Sequence, residues 1–136
     1  MSSRPDLPRI EDWLIVMIAV HSFTVGVFLL FFTRWGVAFG GWQDLHLTFF
    51  ARQVGAFHFV VAIGYLLEYF RYREVTFLLL TKIIAVLFLV SMMMVEPVPW
   101  ALSLSALGDG LMALLVIFVH RRANRVRFGR ELGETA

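Results

Sequence analysis

"TFLLLTKIIAVLFLV", Thr76 to Val90, decides how the rest of the chain is read. Twelve of its fifteen residues are apolar, and Lys82 stands among them. The apolar run extends over about Val75 to Val95, between "RYRE" on one side and "EPVP" on the other. About 20 residues at ~1.5 Å each cross a hydrocarbon layer of ~30 Å. This segment is therefore expected to span a membrane, and its lysine needs an explanation.

Three more segments have the same character. They run over about Asp12 to Phe32, Phe49 to Phe70 and Pro99 to His120, with Pro99 suited to a first helical turn. The chain has 136 residues, 60% of them hydrophobic and 16% charged. Its mean hydropathy is +0.78. These values indicate one all-α membrane domain, a four-helix bundle followed by a basic tail over 121–136. The first apolar run is too long for the core of a typical signal peptide, and Asp6, Glu11 and Asp12 flank it. It is read as a retained helix. The absence of cysteine excludes disulfides and thiolate metal sites. A net charge of +2 gives no reason to expect a nucleic-acid partner.

The basic residues give the threading a direction. Arg4, Arg9, Arg71, Arg73, Arg121, Arg122, Arg125, Arg127 and Arg130 fall on one side of a four-span chain. Arg34 and Arg52 fall on the other. Positive residues favour the cytoplasmic side, so both termini are expected there, in an inner membrane. The short connections "RYRE" and "EPVP" make the second and third spans, and the third and fourth, antiparallel neighbours. The longer first connection carries Trp35, Phe39 and Trp42 between glycines and suits a segment lying at the outer interface.

Charged and titratable groups inside spans are costly, and they usually face the interior of a bundle and find partners. Lys82 is expected ~10 Å deep from the cytoplasmic side, and Asp109 ~15 Å deep from the outer side of the next span. A lysine side chain covers the difference, so Lys82–Asp109 is the favoured pair. Glu68, towards which Lys82 could snorkel, is the rival. Ser105, Ala106, Asp109 and Ala113 share a helical face whose small residues admit a close neighbour. The pair reads either as a fixed structural link or as a proton or cation relay.

His21 and His58 are expected at nearly the same depth, ~13–14 Å from opposite sides. Two level histidines on antiparallel helices could hold a haem b or a chlorin, with Gly55 and Ala62 leaving room for the ring. The alternative is a pair of hydrogen-bonded packing residues. Arg52 and Gln53 sit within a turn of the outer interface. Arg52 suits a lipid phosphate, Asp44, or a quinone or substrate headgroup. His46 and His120 have no metal-ligand spacing to a neighbour. Met92, Met93 and Met94 point in different directions around a helix and cannot ligate one copper ion together. The chain shows no nucleophile–histidine–acid set and no phosphate loop.

"ARQVGAFHFVVAIGYLLEY" in the second span and "LGDGLMALLVIF" in the fourth resemble the DoxX-like group of small four-helix membrane proteins. The resemblance covers roughly Ala51 to Phe118 and implies a bacterial inner-membrane bundle, in some members an accessory subunit near quinone chemistry. The basic tail suits anionic lipid headgroups or a larger partner. With no catalytic set and little mass outside the membrane, the expected role is a structural or accessory subunit among lipids and other membrane subunits. Two alternatives stay open. One is a proton-coupled or small-molecule transporter using Lys82 and Asp109. The other is a haem- or pigment-binding electron-transfer subunit using His21 and His58.

Overall fold

A computed structural model describes residues 7–43 and 48–134, with side chains through residue 127. The described chain is helical throughout: α1 (Leu7–Phe31), α2 (Thr33–Phe39), α3 (Phe49–Tyr72), α4 (Thr76–Val95) and α5 (Trp100–Glu134). Leu7–Phe31, Phe49–Tyr72, Thr76–Val95 and Trp100–Arg127 are long and apolar enough to cross a membrane. Large apolar side chains such as Phe57, Leu67, Phe88, Leu104 and Leu114 are exposed along them. A water-soluble chain rarely presents so much apolar surface.

Each of the four long helices packs against two others: α1 on α3 and α5, and α4 on α3 and α5. Between helices in lipid, apolar burial supplies no net drive, so close backbone approach and polar links select partners. Both operate here. α1 and α3 run antiparallel and cross where Gly26 meets Gly55. A Cβ added to Gly55 would lie 2.8 Å from the Leu30 nitrogen and 2.9 Å from the Gly26 carbonyl oxygen. Towards the end where α1 begins and α5 finishes, called here the terminal end, the spans enclose an apolar cluster. It contains Ile15, Ile18, Tyr65, Tyr69, Val75, Leu78 and Val116.

The α3–α4 hairpin is set by two side chains. Arg73 ends α3 in the left-handed region at φ 58°, its N–H donating to the Tyr69 carbonyl at 2.8 Å. Its guanidinium is anchored on Asp12 of α1 at 2.7 Å. Glu68 reaches across the turn and accepts the Phe77 N–H at 2.8 Å and the Leu78 N–H at 3.4 Å. It thereby satisfies amides that a helix start leaves unpaired, and it sets a negative charge at the positive end of the helix dipole.

Three sequence expectations change. α1 starts at Leu7, not near Asp12, because Glu11 is a buried member of the helix. The tail is no separate segment, since α5 continues without a break to Glu134 and is about 52 Å long. No proline interrupts it, and Arg127 is tied back to Glu11 of α1. The first connection contains a helix of its own, α2. An aromatic ladder supports it, with Trp35 5.4 Å from Phe28, Phe39 stacked at 5.3 Å on Trp35, and Trp100 edge-on to Phe39 at 5.5 Å. Gly41, at φ +97°, turns the chain against Trp100 and Pro99. The ladder thus joins the end of α1 to the start of α5. Asp44 and His46 lie outside the described residues.

Gly55→Ala should destabilise the protein by ~1–3 kcal/mol, because its new methyl meets backbone that cannot step aside. Gly108→Ala, with nothing within 4 Å of the added carbon, should cost nothing. Unfolding in mixed detergent measures both, and equal stability of the two variants would contradict the Gly26–Gly55 crossing.

Candidate functional site

Polar side chains gather at two levels inside the protein, with an apolar layer between them. At mid-helix, Lys82 of α4 is 5% exposed and its ammonium donates to the Asp109 Oδ1 of α5. Thr81, beside it, has its hydroxyl 3.0 Å and 2.9 Å from the carbonyls of Phe77 and Leu78. Its proton returns to its own helix, so the Tyr65 hydroxyl of α3, 2.7 Å away, is the donor to Thr81. His21 of α1 and His58 of α3 lie within electrostatic reach of both Lys82 and Asp109. All four long helices therefore bring an ionisable group to this level.

The second level is at the terminal end. Glu11 is 1% exposed. Its two oxygens accept from His120 Nδ1 and from Arg127 Nη2, each at 2.5 Å. An arginine can only donate, so the Asn124 atom 2.9 Å from Arg127 Nη1 is its carbonyl oxygen. The Asn124 amide then donates to His120 Nε2 at 3.0 Å, which leaves the imidazole proton on Nδ1, facing Glu11. Arg127 also reaches the Tyr69 hydroxyl at 3.3 Å. That hydroxyl donates to Asp12 at 2.7 Å, and Asp12 also receives Arg73. One connected network thus joins α1, α3 and α5.

Ile15, Ile18, Leu78 and Val116, none more than 3% exposed, separate the two levels. No buried side-chain nitrogen or oxygen among the described residues lacks a hydrogen-bond partner. His21 and His58 differ from the rest. His21 is exposed, His58 is half-buried, and neither donates or accepts a hydrogen bond among the described residues.

The candidate residues read from the sequence separate accordingly. Lys82 and Asp109 meet. Glu68 does not serve Lys82, because its carboxylate caps α4 instead. The room expected beside His58 is filled by α1. The backbone of Gly26 and Leu30 occupies the face opposite Gly55, and Ala62 is 3% exposed. At this crossing α1 and α3 leave no slot for a ring. His58 Cβ faces Gly26, and the Phe23 ring of α1 lies tilted against the Phe59 ring of α3, centroids 4.8 Å apart. Arg52 turns to α2, its Nε donating to the Thr33 hydroxyl at 3.4 Å, while Gln53 is exposed beside it. The terminal network was not expected. Its trace in the sequence is His120, Asn124 and Arg127, spaced four and three apart on one face of a helix, opposite a span that opens with Glu11 and Asp12.

Comparison with known proteins finds no matching family model, no curated relative and no similar solved structure.

Lys82→Met or Asp109→Asn alone should lower stability by ~3–5 kcal/mol, because each strands a charge or its hydrogen-bond partner in a dry interior. Replacing both, Lys82→Met with Asp109→Leu, should restore most of the loss. Unfolding in mixed detergent separates the cases, and single variants as stable as the parent would contradict a buried pair.

Proposed function

We propose that this protein is a four-helix bundle of an inner membrane, with both termini in the cytoplasm, and that it serves as a structural or accessory subunit of a larger membrane assembly. The orientation follows from nine arginines on the terminal side against two on the other. The role rests on one observation. His21 is exposed halfway along a membrane-spanning helix, with no hydrogen bond among the described residues and within electrostatic reach of a charge pair that is already complete. An imidazole turned into hydrocarbon is costly unless something meets it. A polar group on a neighbouring subunit's helix would meet that need. The resemblance of the second and fourth spans to DoxX-like proteins points to the same kind of role.

Transport is the second reading, favoured by the convergence of His21, His58, Lys82 and Asp109 from four helices. It ranks lower because Ile15, Ile18, Leu78 and Val116 stand between these groups and the terminal end. A relay needs polar groups along that stretch.

Purification of the native protein from its own membranes in mild detergent tests the proposal. A partner membrane protein should co-purify in fixed ratio, and His21→Leu should lower its yield at least tenfold while leaving the thermal stability of this chain unchanged. A parent protein that emerges alone and monodisperse would overturn the subunit role. Proton flux in proteoliposomes that collapses in a folded Asp109→Asn variant would put transport in its place.

A further inference from the structure

In the second half of α5, the surface carries a groove of about 580 Å³. Leu114, Ile117, Phe118, Arg121, Arg122 and Arg125 line it, all from one stripe of the helix. The stripe changes character along its length, from three apolar residues on the membrane side to three arginines beyond them. The arginines differ from their neighbours in the same helix and hairpin. Arg127 is taken by Glu11 and Arg73 by Asp12. Arg121, Arg122 and Arg125 have no acidic partner among the described residues. Arg122 lies over the Phe118 ring at 4.3 Å, a cation–π contact that leaves its guanidinium without an acidic partner among the described residues. Three unpaired guanidinium groups lie one helical turn beyond an apolar trough. They match a molecule with an anionic phosphate at one end and an acyl chain at the other, because guanidinium binds phosphate oxygens in a two-pronged fashion.

We propose that this groove is a binding site for an anionic glycerophospholipid. The phosphate and headgroup lie among Arg121, Arg122 and Arg125, and the first part of an acyl chain lies on Leu114, Ile117 and Phe118. The site is independent of the subunit role and of His21. It would hold a lipid against the second half of α5, with its phosphate just beyond the level of His120.

The full-length protein, delipidated in mild detergent, is mixed with phosphatidylglycerol or phosphatidylcholine and examined by native mass spectrometry. One phosphatidylglycerol should be retained with at least tenfold preference over phosphatidylcholine. Each of Arg121→Gln, Arg122→Gln and Arg125→Gln should weaken retention by roughly fivefold. The triple variant should bind the two lipids equally while keeping its helical content. Arg34→Gln, which removes one charge elsewhere, should leave the preference intact, and Phe118→Ala should lower it with no change in net charge. Equal retention of both lipids by the parent would overturn the site, as would undiminished preference in the triple variant or an equal loss in Arg34→Gln. Displacement of the lipid by millimolar inorganic phosphate would also overturn it, because it would make free phosphate the ligand.

Discussion

The Glu11 carboxylate fixes how this chain closes on itself. It is a charge near the start of the first helix, 1% exposed, held by His120 and Arg127 of the last. In lipid a leucine gains little by touching another helix instead of a hydrocarbon tail, so many pairings of four apolar helices would have similar energy. A buried carboxylate allows far fewer, because only an arrangement that supplies enough donors avoids a penalty of several kcal/mol. The donors here also depend on one another. Arg127 fixes which way Asn124 faces, Asn124 fixes which His120 nitrogen carries the proton, and that proton goes to Glu11. The connection between α1 and α5 is thereby specified atom by atom.

Lys82–Asp109 does for α4 and α5 what Glu11 does for α1 and α5, one apolar layer further in. The outcome is a stack of polar, apolar and polar levels with the groups of each level largely satisfied by one another. Among the described residues, His21 and His58 at mid-helix and Arg121, Arg122 and Arg125 on α5 take no part in these links. This is why the proposed roles concern neighbours in the membrane, protein at one level and lipid at the other.

Much of this was legible in the sequence, for physical reasons that differ by element. The spans were visible because hydrocarbon thickness imposes a length on any helix that crosses it. Lys82 and Asp109 could be matched because rise per residue converts position into depth and a short hairpin makes two helices neighbours. Rotation about the helix axis could not be obtained in that way. Glu68 stands at a depth suitable for Lys82, yet its side chain points across the turn to the α4 amides. His21 and His58 have suitable depths, yet contact at Gly26 and Gly55 brings their helices too close for a ring between them. The terminal network was hidden for a different reason. Its residues lie up to 116 positions apart, and Glu11 and Asp12 look like ordinary solvated flanks until α5 is known to continue past the membrane. α2 is not legible in the sequence because seven residues are too few to carry a periodic signal, and it is held by tertiary contacts: the aromatic ladder, the buried Thr33 and Val37, and the Arg52–Thr33 hydrogen bond.

A double-mutant cycle on Glu11→Gln and Arg127→Gln, read by unfolding in mixed detergent, tests most directly whether polar links set the helix pairing. Hydrogen bonds between membrane helices couple by ~0.6 kcal/mol on average, whereas a buried charge pair that selects the fold should exceed that clearly. A coupling above ~1.5 kcal/mol is expected, with each single variant losing contact between α1 and α5. A coupling near zero would mean that apolar packing and the short hairpins position the helices and that Glu11 is only accommodated there.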